Sequence, residues 1–183
     1  HNPLFAEIAD HIRIRLEKEG RYYFITSAMI RNQAGLPFLD KQTLKSIIDL
    51  RPESLLVIGS IPKIELLESL PKKLPIIIAS GIPTGISRAS TVRTNEEIGL
   101  RLVVDHLVEF GHKNIVHLAG SKPGVAKDRI NGYEKAMREN GLESFIRVVH
   151  SKSDDENSGY EGMWKLIKSD NPPTAIACFN DLH

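Results

Sequence analysis

The sequence predicts an α/β protein in which parallel sheets are covered by helices on both faces. Helical and strand patterns alternate along the 183 residues, and the connections between them are short. Alternation of this kind is typical of βαβ units, which build parallel sheets. Small loops of Gly, Pro, Ser and Asn also fall where the strand patterns end. With 41% hydrophobic residues, the chain can bury a sizeable core as one large domain or two small ones.

Four helices are predicted in the first half of the chain, where apolar residues recur at helical spacing. Gly20 is expected to end the first helix, and Asp40 to cap the second. The third is a short helix over residues 64–70. The fourth is expected to begin at an Asn95 cap, to end at Gly111 and to bury one side. That side comprises Ile98, Leu102, Val103, Leu107 and Phe110.

Strands are predicted between these helices. Residues 22–26, with the sequence YYFIT, are apolar or β-branched throughout and favour a strand buried on both faces. Further strands are expected at 55–58 and 75–79, and a short extended run at 90–93. The first half is therefore predicted to form its own sheet covered by helices.

The second half repeats the alternation. Strands are expected at 115–119, 145–149 and 174–179, with helices at 126–140 and 158–168. A crossover at Val92 and Arg93 divides the chain into an N-terminal lobe, 1–93, and a C-terminal lobe, 94–183. The chain starts on a helix without a first strand and stops at "NDLH", where a cap should open a helix, so both lobes are expected to be truncated.

Composition and charge exclude several classes of function for these residues. Lys and Arg total 24 against 23 Asp and Glu, so nothing favours direct binding to nucleic acid or to a membrane surface. No apolar stretch is long enough to span a bilayer. The single cysteine, Cys178, cannot form an internal disulfide, which makes the cytoplasm the expected location.

The loops after the strands are the expected binding region, since ligands of open parallel sheets bind at the carboxyl ends of the strands. The loop "GSKPGV" after residue 119 has neither the glycine spacing of a P-loop nor that of a dinucleotide-binding turn, and its proline removes an amide donor. A phosphate cradle is therefore not predicted there. Arg129 lies near the start of the next helix and offers a planar fork of donors that suits paired oxygens, although a plain connecting loop is the alternative.

Catalytic and metal chemistry find no support in the sequence. The seven histidines are scattered, no nucleophile elbow occurs, and His117 in an apolar strand is expected to be a satisfied core histidine. Tyr160 and Trp164, four residues apart, are expected to be ordinary helix packing. We therefore predict no enzyme, no metal and no cofactor.

Five segments, in this order and spacing, resemble the effector-binding core of the lac repressor and galactose repressor family of bacterial transcription regulators. They are "HNPLFAEIADHI", "STVRTNEEIGLRLVVDHLVEFGHKNIVHLAG", "DRINGYEKAM", "NSGYEGMWKLI" and "PPTAIACFNDLH". The resemblance implies two Rossmann-like lobes of the periplasmic binding protein type I fold, joined by three crossovers. It also implies a small, sugar-like effector bound in a cleft between the lobes. Periplasmic sugar-binding proteins of transport systems share this fold and are the alternative.

The same resemblance assigns expected roles to individual residues. Arg129 would pair with effector hydroxyls or a carboxylate. Asn180 would donate to and accept from a sugar hydroxyl, or cap the following helix. Asn2 and Phe5, with Pro3 and Ala6, would form the N-lobe wall, although Phe5 fits a helix core equally well.

Two positions depart from the family pattern. Ser80 stands where the family often has an aspartate or asparagine, and Asp154 where it has an aromatic platform. Asp154 is expected to belong to an acidic first helical turn, or else to bind a polyol or a cationic effector.

The partners implied are a small-molecule effector, a second copy of the chain and operator DNA. DNA would be bound through a helix-turn-helix head that precedes these residues in the family, and no membrane partner is implied. The mechanism implied is allosteric: the effector stabilises one arrangement of the lobes, and the dimer transmits it to the DNA-binding heads.

Overall fold

A computed structural model of the chain describes residues 3–27, 29–31, 37–59, 64–83, 85–121 and 124–183. In these residues the α-helices are α1 Pro3–Lys18, α2 Lys41–Asp49, α3 Glu96–Glu109, α4 Val125–Glu139 and α5 Glu156–Ile167. The strands are β1 Met29–Arg31, β2 Pro37–Leu39, β3 Leu55–Ile58, β4 Ile76–Ala79, β5 Ala89–Val92, β6 Ile115–Ala119, β7 Val148–His150 and β8 Ala175–Cys178. Two 3₁₀ helices span Ile64–Ser69 and Glu143–Phe145. None of the helices in the described part of the chain is long and apolar enough to cross a membrane.

The chain forms two compact units, His1–Arg93 and Thr94–His183, called here the first and the second unit. The first unit contains a parallel sheet with the strand order β3-β4-β5 and a separate antiparallel hairpin, β1-β2. The second unit contains a parallel sheet with the order β7-β6-β8. The predicted fold class, parallel sheets flanked by helices, is confirmed.

The core of the first unit lies between its sheet and the segments that connect the strands. Its buried residues are Leu44, Val57, Leu67, Leu70, Leu74, Ile76, Ile78 and Ile86. Arg88, just before β5, donates from its guanidinium to five backbone carbonyls at distances of 2.8 to 3.5 Å. These belong to Leu67, Leu70, Pro71, Lys72 and Leu74. One side chain thus satisfies the carbonyls of the turn between the 3₁₀ helix and β4.

The core of the second unit is built around β6, every residue of which is buried. Helices α3 and α4 supply most of its other apolar contacts. Tyr133 on α4 donates from its hydroxyl to the Ile115 carbonyl at 2.8 Å and accepts from the Arg147 amide at 3.0 Å. This hydroxyl therefore ties α4 to the sheet and satisfies a polar atom inside the core.

The predicted N-caps are confirmed. The Asp40 carboxylate accepts from the Thr43 amide at 2.8 Å, and the Asn95 side chain accepts from the Ile98 amide at 3.1 Å. At the start of α4 the cap position is Gly124, whose φ of 95° lies in the region that favours glycine. The glycine is required by the turn between β6 and α4.

The predicted strand at 22–26 is wrong. Residues 21–27 carry no strand, and the side chains from Tyr22 to Ile25 are exposed. An aromatic and β-branched run favours an extended backbone, but it becomes a strand only where another strand offers paired hydrogen bonds. In the described residues the parallel sheet of the first unit extends from β3 to β5 only, and this run pairs with neither edge.

The predicted inner face of α3 is wrong except at Leu107, which packs against the core. The buried residues are Leu100 and Val104, whereas Ile98, Leu102, Val103 and Phe110 are exposed. The cause is the crossing with α4. A Cβ at Gly132 would lie 2.7 Å from the Cα of Glu97, so the α3 backbone presses on α4 at position 97. Residues three and seven positions after 97 share that face and are turned inward.

His117 lies in the core, as predicted, but only one of its ring nitrogens is satisfied. Nδ1 is 2.7 Å from the Ala177 carbonyl, and Nε2 has no hydrogen-bond partner among the described residues. Its ring packs 5.5 Å from that of Tyr133. Burial lowers the pKa of His117, so the imidazole is neutral at pH 7.

Gly132→Ala is predicted to destabilise the protein, because the new Cβ would lie 2.8 Å from the Glu97 carbonyl oxygen and force the two helices apart. We expect the free energy of unfolding in urea to fall by about 1–3 kcal/mol. The control is Gly99→Ala on α3, where a Cβ would meet nothing within 4 Å. Alanine should there add about 0.5–1 kcal/mol through helix propensity. Equal effects at the two positions would contradict the close crossing.

The burial of neutral His117 predicts that stability decreases on acidification. Its pKa in the folded state lies below the ordinary 6.5, so below that pH the unfolded chain takes up the proton first. The free energy of unfolding should therefore fall as the pH is lowered below 6.5, by at most about 1.4 kcal/mol per unit. Denaturant titrations of His117→Gln should show a flatter slope in this window. A His117→Gln slope equal to that of the unchanged protein would refute the assignment.

Candidate functional site

The carboxyl ends of β6, β7 and β8 bring three loops of the second unit to one edge of its sheet. The loop after β6 leads into α4, the loop after β7 leads into α5, and Phe179 to His183 follow β8. Parallel strands place all three loops at the same edge, where ligands of this fold class bind. Arg129, Asp154 and Asn180 from the sequence prediction all belong to this edge.

Arg129 lies on the first turns of α4 and is held by neighbours. Its Nε donates to Glu96 Oε2 at 2.6 Å, and its Nη1 donates to the Phe179 carbonyl. The guanidinium carbon lies 4.6 Å from the centre of the Phe179 ring. The side chains of Arg129 and Glu96 are only 21% and 10% exposed. Sequence reasoning found the arginine and missed its counter-ion.

Glu96 begins α3, directly after the Asn95 cap, and also accepts from the Thr94 hydroxyl. A carboxylate in a first helical turn is ordinarily explained by the helix dipole. Nothing in the local pattern therefore distinguishes Glu96 from its neighbour Glu97, which pairs with Lys135 at 2.6 Å on an exposed surface. Only the packing of α3 on α4 shows which of the two faces Arg129.

Asn180 uses its side-chain oxygen within its own loop. Oδ1 accepts from the Leu182 amide at 2.9 Å and from the His183 amide at 3.1 Å, and it lies 2.8 Å from His183 Nδ1. These are the bonds of a cap residue, which was one of the two predicted roles. The amide nitrogen, Nδ2, has no acceptor among the described residues. Asn180 can therefore donate a hydrogen bond to a ligand. Its oxygen, which was predicted to accept from a sugar hydroxyl, already accepts from the loop amides.

Asp154 joins two loops and does not belong to the first turn of α5. Its Oδ1 accepts from the amide of Ser121 at 2.7 Å and from the Ser121 hydroxyl at 3.0 Å. The cap of α5 is Asp155, which accepts from the Ser158 amide at 2.9 Å. The expectation that Asp154 forms an acidic helix start is wrong, because the helix begins at Glu156, two residues later.

The loop "GSKPGV" serves packing at Gly120. A Cβ there would lie 2.8 Å from the Phe179 ring, so the glycine makes room for the aromatic surface on which Arg129 rests. Lys122 and Pro123 lie outside the described residues. Below this loop, buried Ser151 donates to the Ala119 carbonyl at 2.8 Å and lies 2.8 Å from His183 Nε2. These bonds tie the ends of the three strands together.

The first unit has its own strand-end cluster, formed by Phe5, Gly59, Ser80 and Gly81. The Phe5 ring covers Gly59, where a Cβ would meet it at 3.0 Å, and a Cβ at Gly81 would lie 2.6 Å from the Gly59 carbonyl oxygen. Phe5 is thus packed on β3 at the sheet edge and remains partly exposed. Asn2, predicted to belong to the same wall, lies outside the described residues.

Ser80 has a φ of 56°, a left-handed conformation that is unfavourable for a residue with a side chain. Its amide donates to the Val92 carbonyl at 2.8 Å, which fixes the backbone where β4 ends. Strained residues of this kind concentrate at functional sites, where the surrounding structure holds them. Among the described residues predicted for the site in the first unit, Ser80 has such a strained backbone.

Other chemistry is poorly provided for in the part of the chain that the structure describes. There, no three His, Cys, Asp or Glu side chains come together as a metal site. Burial raises the pKa of the Cys178 thiol, so the thiolate is disfavoured at neutral pH. The polar groups at the strand ends are therefore suited to holding a ligand by hydrogen bonds.

Comparisons with known proteins identify the family to which the chain belongs. Residues 2–183 match the family described as periplasmic binding proteins and sugar binding domain of LacI family. The transcriptional repressor PurR of Aliivibrio salmonicida is 29% identical over 99% of this chain and 54% of its own length. The transcriptional regulator GalR of Escherichia coli is 28% identical over 78% of this chain and 42% of its own.

Among solved structures, a LacI transcriptional regulator from a Rhodococcus species is 31% identical, with a TM-score of 0.71 over 79% of this chain and 53% of that one. The chain spans about half the length of the curated relatives it matches. Since the family match extends over almost all of its residues, the chain belongs to the family of periplasmic binding proteins and LacI sugar-binding domains.

Proposed function

We propose that the chain is the effector-binding and dimerisation core of a bacterial transcription regulator that senses a small, sugar-like polar ligand. The observation that carries the proposal is that Arg129 donates to the carbonyl of Phe179, the residue before Asn180, at the carboxyl ends of the parallel strands in a LacI-type core. Hydrogen-bond donors on a rigid aromatic support suit the oxygens of a polyol. The polar groups orient the ligand without performing chemistry on it.

A regulator is preferred to a solute-binding protein of a transport system because the curated relatives are named as transcriptional regulators. The family itself includes both kinds of protein. The full gene distinguishes them: a helix-turn-helix upstream of residue 1 supports the regulator, and a secretory signal peptide there refutes it. The proposal places the protein in the cytoplasm, where operator DNA is accessible.

The mechanism proposed is a shift between two arrangements of a homodimer. An effector that binds one arrangement more tightly increases its population by the ratio of the two affinities. Operator DNA, bound by heads outside these residues, prefers one of the two arrangements, so effector and DNA affect each other's affinity by the same factor. We also propose that one ligand contacts both units.

Arg129→Gln is predicted to abolish most of the effector response. A thermal-shift screen of sugars, sugar phosphates and purines on the full-length protein identifies the best ligand, because a compound bound only by the folded state raises the melting temperature. Losing a charge-assisted donor should weaken that ligand tenfold to a hundredfold, which corresponds to about 1.5–3 kcal/mol. Arg138→Gln on the same helix is the control, since Arg138 pairs with Glu134 on an exposed surface. Full retention of the shift by Arg129→Gln would refute the site.

Ser80→Gly is predicted to change stability and affinity in opposite directions. Glycine relieves the left-handed backbone and should raise the free energy of unfolding by about 0.5–1 kcal/mol. Loss of the hydroxyl should weaken the same ligand about threefold to tenfold, if the first unit takes part in binding. Arg51→Gly is the matched control: Arg51 has a φ of 50° and precedes β3, at the opposite edge of the sheet. It should gain stability and keep the ligand affinity.

A further inference from the structure

We propose that Glu96 determines the class of effector: it neutralises Arg129 from within the protein, so that the site accepts neutral, hydroxyl-bearing ligands and rejects carboxylates and phosphates. The inference rests on the proposed function, because it names the ligand class of the same site. An arginine fork at a strand end would otherwise be an anion site, since a guanidinium matches paired anionic oxygens.

The geometry places the Glu96 carboxylate where an anionic ligand would bind. Glu96 Oε2 lies 2.6 Å from Arg129 Nε, at the edge of the fork that the side chain offers. Nη1 is directed to the Phe179 carbonyl. An incoming carboxylate therefore finds two of the donors in use and a negative charge beside them.

The pair is held by several contacts besides its own. Glu96 also accepts from the Thr94 hydroxyl, and it lies in the first turn of α3, where the helix dipole favours a negative charge. Arg129 rests on the Phe179 ring. With side-chain exposures of 10% and 21%, separating the two would leave a poorly solvated charge on each side. An anion has to overcome all of these contacts to displace Glu96.

The groups left for a ligand favour neutral oxygens. Asn180 offers its Nδ2, because its oxygen is used by the amides of Leu182 and His183. The carboxylates of Asp154 and Asp155 lie in the loop after β7 at the same sheet edge and add negative charge. Such an edge repels anions and still donates hydrogen bonds to hydroxyl oxygens.

The test removes the charge of Glu96 and uses inorganic phosphate as the probe. Phosphate is titrated at pH 7.5 and constant ionic strength against the full-length protein, Glu96→Gln and Glu97→Gln, with binding measured by thermal shift and calorimetry. Glu97→Gln is the matched control, since Glu97 is the adjacent residue but pairs with exposed Lys135. We expect Glu96→Gln to bind phosphate at least tenfold more tightly than the unchanged protein, and Glu97→Gln to resemble the unchanged protein.

The double variant Glu96→Gln with Arg129→Gln should lose the phosphate affinity that Glu96→Gln gains over the unchanged protein. That loss would show that Arg129 binds the phosphate. If Glu96→Gln fails to fold by circular dichroism, Glu96→Ser provides a second uncharged replacement. Two results would overturn the proposal. One is that the unchanged protein binds phosphate and that Arg129→Gln abolishes this binding. The other is that neither Glu96→Gln nor Glu96→Ser binds phosphate more tightly than the unchanged protein. A phosphate gain without any sugar response would leave this inference standing and refute the sugar-sensing function.

Discussion

The close crossing of α3 and α4 at Gly132 is the constraint on which the second unit depends. Gly132 has no side chain, so the Glu97 backbone rests directly on α4. The crossing turns Leu100 and Val104 into the core. It also brings Glu96, the residue before Glu97, opposite Arg129, which lies three positions before Gly132. A packing requirement therefore sets the geometry of the ion pair at the strand ends.

The first unit meets a different constraint, which is the satisfaction of backbone carbonyls in a short connection. Five carbonyls of the 3₁₀ helix and the turn after it accept from the Arg88 guanidinium, and two of these, Leu67 and Pro71, also accept from backbone amides. Arg88 immediately precedes β5, so this network also fixes where β5 pairs with β4. Ser80, whose amide donates to Val92 at the end of β5, is positioned by the same pairing.

Sequence patterns predicted the parts of the fold that depend on local chemistry. The caps Asp40 and Asn95 and strand β3 follow from side-chain bonding and apolar runs, both of which can be recognised within a few residues. The inner face of α3 did not follow, because its apolar residues cover more than one side and the choice is made by contact with α4. The run at 22–26 has high strand propensity, but strand formation depends on a partner edge that no local pattern reports.

The candidate site shows the same division. Asn180 was predicted because it directly follows a strand pattern, Arg129 because it lies near the start of the helix after a strand, and Phe5 from the family resemblance. Glu96 was missed because a carboxylate at a helix start has a sufficient local explanation. The different roles of Asp154 and Asp155 depend on where α5 begins, and apolar periodicity does not locate a helix start to within two residues.

Arg129 and its contact partners connect the start of α3, helix α4 and the segment after β8. Glu96 and Thr94 lie at the beginning of the second unit, immediately after Arg93, the last residue of the first. Phe179 and Asn180 follow β8, and Asp154 holds the loop after β7 to the loop after β6. A ligand that hydrogen-bonds Arg129 thus contacts a side chain linked to the start of α3, to α4 and to the end of β8. In the proposed site Glu96 balances the charge of Arg129, so the directions of the remaining donors would determine which ligand is recognised.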